Sequence, residues 1–82
     1  MPISLARVAT NRLSWGKGEQ FCSLNQGSDL TRTVNILIYE GEFFIADCSD
    51  ETINRLWSVV DVDEFELIHT TAMQILEGTY DG

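Results

Sequence analysis

Two runs of β-branched and aromatic residues, separated by Glu40-Gly41, constrain the fold of this chain more than any other feature. The first run, Thr31 to Tyr39, is dense in Thr, Val and Ile, and the second, Glu42 to Cys48, contains adjacent phenylalanines. Two such runs joined by a glycine-containing turn are typical of a β-hairpin. We therefore predict a hairpin over residues 31–48. Because apolar residues occur on both of its faces, we expect one face to support a partner or a second copy of the chain.

The N-terminal third predicts one or two further strands. Ile3 to Ala9 alternates loosely between apolar and polar residues, and Gln20 to Leu24 forms a second short run. Trp15 to Gly18 predicts a turn between them, since its two glycines adopt positive φ at little cost. Asn25 to Asp29 is rich in turn-forming residues, and we predict a loop there.

Helical spacing begins after the hairpin. Ser49 is a suitable N-cap, and Ile53, Leu56, Trp57 and Val60 follow at i, i+3, i+4 and i+7. This stripe predicts a helix that ends near residue 61.

A second helix is predicted from Asp61, which forms a capping-box pattern with Glu64. Gly78 is a plausible residue just past its C-terminus. The apolar residues at helical spacing are Phe65, Ile68, Ala72, Met73 and Leu76. The alternative is a strand over Glu64 to Thr70 followed by a short helix.

Strands followed by helices indicate an α+β fold. We predict a single domain over residues 1–82, with a small antiparallel sheet made of the hairpin 31–48 and one or two N-terminal strands. Two C-terminal helices are expected to cover one face of the sheet.

The chain lacks a recognisable catalytic or metal-binding motif. It has two cysteines, Cys22 and Cys48, and one histidine, His69, without the spacing of a structural zinc site. We interpret the cysteines as buried free thiols, with a disulfide as the alternative. A pairing of Cys48 with His69 is the most explicit catalytic arrangement that the sequence offers, but nothing in the sequence favours such a pair. The acidic run from Asp61 to Glu66 fails the EF-hand pattern. We predict no cofactor, no metal and no enzymatic activity.

Charge is the most informative functional feature. The net charge is −8, with +2 in residues 1–32 and −10 in residues 33–82. An acidic half of this strength repels nucleic acid and anionic membranes and attracts basic surfaces. Solubility alone is the competing explanation.

We therefore predict a small non-enzymatic binding protein, an inhibitor or adaptor whose negative surface docks on a basic site of a partner protein. One such site is a surface that normally holds nucleic acid, where the carboxylates would imitate phosphates. Phage-encoded inhibitors and toxin-immunity proteins are small acidic proteins of this type, and the analogy with them rests on size and charge alone. Neither direct nucleic-acid binding nor membrane binding is expected. The predicted contact residues are Trp15, Glu40, Glu42, Asp61, Asp63, Glu64 and Glu66.

The alternative function is assembly, in which the hairpin or the Trp57 segment is buried in a homo-oligomer such as a homodimer. We expect a cytoplasmic protein, because no apolar run reaches the roughly 20 residues of a membrane span and the N-terminus has no signal-peptide pattern.

Overall fold

The structure is a computed structural model of the chain, and it describes residues 3–14, 16–60 and 64–80. These residues form five strands and one helix. The strands are β1 (Leu5–Val8), β2 (Glu19–Gln26), β3 (Asp29–Tyr39), β4 (Glu42–Ser49) and β5 (Thr52–Val59), and the helix is α1 (Phe65–Glu77).

All five strands lie in one antiparallel sheet with the order β1-β5-β4-β3-β2. Strands β2 to β5 follow one another as a meander, and β1 joins the far edge beside β5. The β3–β4 turn, Glu40-Gly41, lies at one end of the sheet, which we call the Glu40 end. The β2–β3 turn and the β4–β5 turn, Asp50-Glu51, lie at the opposite end, which we call the Asp50 end.

The predicted hairpin is confirmed. Tyr39 pairs with Glu42, so Glu40 and Gly41 form a two-residue turn in which both residues have positive φ, 51° and 77°. This geometry matches the twist of the two flanking strands.

The prediction of two C-terminal helices is wrong, because residues 52–59 form strand β5. Ser49 pairs with Thr52, so Asp50 and Glu51 make a tight turn where we expected the start of a helix. Both faces of β5 are buried: Leu56 packs on one side of the sheet, and Trp57 and Val59 pack on the other. A strand buried on both faces has no strict alternation, and its apolar residues can imitate helical spacing.

The later helix is confirmed and is the only α-helix in the described part of the chain. It begins at Phe65, so the alternative strand over Glu64 to Thr70 is excluded. Gly78 ends it in the left-handed conformation with φ 81°, as predicted. The predicted start at Asp61 is wrong, because the N-cap is Glu64 and its side chain makes no capping hydrogen bond; Asp61 itself lies outside the described residues.

The helix covers one face of the sheet, which we call the helix face. Ile68, Ala72 and Ile75 of α1 pack there against Val34 and Ile36 of β3. Apolar burial of this kind supplies most of the stability of such a small domain.

The other face, which we call the second face, is covered by the segment that connects β1 to β2. This segment contains a short 3₁₀ turn, Thr10–Arg12, and buries Leu13 against Phe44, Ala46 and Leu56. The second face of the hairpin is therefore occupied within the chain itself.

No helix among the described residues is long and apolar enough to cross a membrane.

Candidate functional site

A buried carboxylate binds two arginines of the helix face. Asp47 is 6% exposed and accepts hydrogen bonds from Arg55 at 2.9 and 2.7 Å and from Arg32 at 3.2 Å. Arg32 also donates to the carbonyl oxygens of Ile75 and Leu76 at 3.2 and 3.0 Å. A cation at this position adds charged donors to carbonyls of the last helical turn, where the helix dipole is negative. Arg32 thus joins the sheet to the C-terminus of α1, whereas Arg55 binds Asp47 within the sheet.

A second internal ion pair lies on the second face. Arg12 is 3.4 Å from Glu42, and its guanidinium lies over the ring of Phe44 at 5.4 Å from the centroid. One arginine therefore contacts an aromatic face and a carboxylate at the same time, which is a favourable arrangement for a planar cation.

These contacts use three of the five basic residues. Among the described residues, eight acidic side chains are exposed and have no ion pair, against two basic ones, Arg7 and Lys17. Four of the acids lie at the Glu40 end and four at the Asp50 end. Those at the Glu40 end are Glu19, Glu40, Glu64 and Glu66, and those at the Asp50 end are Asp29, Asp50, Glu51 and Glu77.

The structure separates the predicted contact residues. Glu40, Glu64 and Glu66 lie at the Glu40 end and are exposed. Glu42 is near them along the chain but points to the second face, where Arg12 neutralises it. Trp15, Asp61 and Asp63 lie outside the described residues.

An exposed aromatic side chain at the Glu40 end was missed by the sequence analysis. Phe21 lies on edge strand β2 and is 52% exposed. The register of β2 shifts between Gln20, which pairs with Leu37, and Cys22, which pairs with Ile36. The extra residue is a bulge at Phe21, and bulges redirect side chains locally. Phe21 consequently lies on the helix face beside Cys22.

Phe21 belongs to a cluster that we call the aromatic patch, defined as Phe21, Phe43, Phe65 and His69. Ring centroids are 5.9 Å apart for Phe21 and Phe43, 5.0 Å for Phe21 and Phe65, and 5.7 Å for Phe65 and His69. An open groove of about 350 Å³ runs beside it and is lined by Phe65, Glu66, His69 and Thr70. The patch therefore combines exposed aromatic surface with a concave wall.

Carboxylates surround the aromatic patch. Glu19 pairs with Ile38, which in turn pairs with Phe43, so its side chain shares the helix face with Phe43. Glu64 and Glu66 flank Phe65 at the start of α1. We call Glu19, Glu64 and Glu66 the acidic rim. Within the part of the chain that the structure describes, no arginine or lysine lies over the rings of the patch.

The cysteines and the histidine are not brought together. Cys22 is on the helix face, and Cys48 is buried on the second face, so both are free thiols and no disulfide forms. His69 contacts Phe65 on the helix side, across the sheet from Cys48. Burial raises the pKa of the Cys48 thiol, which disfavours the nucleophilic thiolate. A Cys48–His69 catalytic pair is excluded by this placement.

A second cavity, of about 210 Å³, lies between the Gly16–Gly18 turn and β3. Its floor includes Asn35, which is 2% exposed, accepts a hydrogen bond from Gln20 at 3.3 Å and donates to Thr33 at 3.0 Å. These amide groups are satisfied within the chain. Lys17, an exposed cation without an ion pair among the described residues, also lines the cavity.

The described residues contain no group of three or more His, Cys, Asp or Glu side chains arranged to hold a metal ion. Comparisons with protein-family models, with curated proteins and with solved structures find no match to this chain.

Proposed function

We propose that this protein is a non-enzymatic binding domain that docks a negative surface on a basic surface of a partner protein. The observation that carries the proposal is that most of the protein's own arginines are already paired with its own carboxylates. Arg12, Arg32 and Arg55 are held by Glu42 and Asp47, whereas the exposed acids at both ends of the sheet are left without ion pairs among the described residues. A surface with this imbalance attracts cationic partners over long range.

The Glu40 end is the better candidate for the docking surface. Stable protein interfaces need an apolar or aromatic centre as well as a polar rim. The Glu40 end provides both, because Phe21 is exposed between Glu19 and the start of α1. Glu40 extends the negative surface at the tip of the hairpin. An inhibitor or adaptor acting through such a surface fits a domain of this size.

Affinity capture from a lysate of the native cells, at low and high salt, tests the proposal. Raising the salt from about 50 to about 500 mM shortens the screening length from roughly 14 to roughly 4 Å and weakens contacts between exposed charges. We expect a basic protein to be retained at low salt and lost at high salt. Binding that ignores salt, or recovery of neutral and acidic proteins only, contradicts the proposal.

Sedimentation of the purified chain provides the control for the assembly alternative. We expect one monomeric species over a wide concentration range, because two copies bring together surfaces of the same charge. A dimer that forms as concentration rises supports homo-oligomerisation instead.

A further inference from the structure

The aromatic patch and its acidic rim have a counterpart elsewhere in the molecule. On the second face, Phe44 and Glu42 together bind the guanidinium of Arg12, with the ring at 5.4 Å and the carboxylate at 3.4 Å. An aromatic ring beside a glutamate therefore binds an arginine guanidinium at one place in this fold.

The helix face at the Glu40 end contains the same two components, and none of the described arginines or lysines lies over its rings. Phe65 is followed by Glu66, and both line the groove beside the patch. The ring of Phe21, 5.0 Å from that of Phe65, enlarges the aromatic surface and is 52% exposed. We infer that the aromatic patch with its acidic rim is a docking site for an arginine side chain of a partner protein.

Charge complementarity selects this occupant over a second copy of the chain. A guanidinium can stack on Phe21 or Phe65 while it donates two hydrogen bonds to a carboxylate of Glu66 or Glu19. A second copy, related by two-fold symmetry, places Glu19, Glu64 and Glu66 of both copies around one interface, and like charges oppose that contact.

Edge strand β2 is a poor template for adding a long foreign strand. Its pairing with β3 shifts register in two places, between Gln20 and Cys22 and between Leu24 and Gln26. Bulges of this kind protect sheet edges from strand addition. Recognition is therefore expected to depend on side chains that dock on the patch, with arginine as the anchor.

This site rests on the proposed function, because both require a cationic partner. The test uses the full chain labelled with ¹⁵N and titrated with a short peptide that alternates arginine and leucine. We expect the largest chemical-shift changes at residues 19–21 and 64–70. A lysine version of the peptide is expected to bind about three-fold more weakly, since ammonium stacks less well on aromatic rings.

Two matched substitutions locate the site. Phe21→Ala removes the exposed ring from the patch, and we expect it to weaken arginine-peptide binding about five-fold. Leu30→Ala is the control, because Leu30 is a 72% exposed apolar residue at the Asp50 end, beside the exposed acid Asp29. It is expected to leave the affinity unchanged.

Four results overturn the site: no binding of the peptide at low salt, shift changes distributed over the acids of both ends, equal effects of the two substitutions, or self-association that Phe21→Ala abolishes. If lysate capture is salt-dependent and Phe21→Ala has no effect on peptide binding, the proposed function stands and the arginine site fails. If capture is independent of salt, the proposed function fails whatever the peptide does.

Discussion

The two ends of the sheet carry equal numbers of exposed, unpaired carboxylates among the described residues, but the side chains near those carboxylates differ. At the Asp50 end, Arg32 and Arg55 both bind buried Asp47, and Arg32 also holds the C-terminus of α1. At the Glu40 end, the acids surround the aromatic patch, of which Phe21 is exposed, and no arginine among the described residues lies over its rings. The first arrangement stabilises the fold, and the second is open to a partner. Negative charge alone therefore does not identify a binding surface.

Of the substitutions at the two ends of the sheet, Asp47→Ala at the Asp50 end is expected to have the largest effect on stability. Asp47→Ala removes the buried acceptor and leaves the guanidinium groups of Arg32 and Arg55 without their ion pair. We therefore expect the free energy of unfolding to fall by about 2–3 kcal/mol. The effect stays below that of a fully buried pair because both arginines are partly exposed. Chemical denaturation measures this change. Glu51→Ala, at the exposed β4–β5 turn, is the control and should change stability by less than about 0.5 kcal/mol. Equal effects of the two variants contradict the structural role of Asp47.

A smaller effect is expected from Arg32→Gln. This change removes the ion pair with Asp47 and the donors to the carbonyls of Ile75 and Leu76. We expect a loss of about 1–2 kcal/mol. Hydrogen exchange should show faster opening of the last turn of α1 than of its first turn. Uniform exchange along the helix is the result that contradicts this role.

At the Glu40 end, removing an aromatic ring is expected to have little effect on folding. Phe21 is 52% exposed, so Phe21→Ala should lower the free energy of unfolding by about 1 kcal/mol or less. Phe44→Ala, at a ring that is 1% exposed on the second face, should cost about 3–5 kcal/mol. Denaturation of the two variants side by side gives the comparison. If Phe21→Ala is as destabilising as Phe44→Ala, Phe21 is a core residue and not a docking residue.

The smallest effect concerns a turn at the Asp50 end. A hydrogen bond from the Thr31 hydroxyl, at 2.7 Å, together with the Thr31 backbone N–H, holds the pKa of Asp29 below its usual value. The folded state therefore favours the ionised form, and this contribution to stability is present above the usual pKa and lost as pH falls through the lowered one. Thr31→Val should raise the pKa of Asp29, as measured by NMR titration of its carboxyl group. An unchanged pKa contradicts the assignment.

The sequence predicted the hairpin and the last helix because their signals are local. Glu40-Gly41 specifies a two-residue turn, and Gly78 specifies a helix C-terminus, whatever surrounds them. Strand β5 could not be predicted in this way. Its pattern reflects burial on two faces: Trp57 and Val59 belong to the buried cluster of the helix face, and Leu56 packs against Leu13 on the second face.

The candidate site was predicted only in part. Three of the acids at the Glu40 end were proposed as contacts, because charge is visible in a sequence. Phe21 was missed, because its exposure depends on a bulge that appears only in the pairing of β2 with β3. The ion pairs of Asp47 could have been predicted from the sequence. Asp47 is the single acid inside the apolar run from Phe43 to Cys48, and a buried acid implies a basic partner within the fold.

The most direct test of the docking surface compares two variants with the same net charge. One replaces the exposed acids of the Glu40 end with their amides, and the other does so at the Asp50 end. The first variant carries changes at Glu19, Glu40, Glu64 and Glu66, and the second at Asp29, Asp50, Glu51 and Glu77. Long-range attraction is weakened equally in both, so any difference in affinity for the arginine peptide reports the local contacts.

Fluorescence anisotropy of the labelled peptide at low salt provides the measurement. We predict that the Glu40-end variant binds about ten-fold more weakly than the Asp50-end variant, because only the former loses carboxylates beside the aromatic rings. Equal affinities of the two variants, or a greater loss at the Asp50 end, contradict the assignment of the Glu40 end as the docking surface.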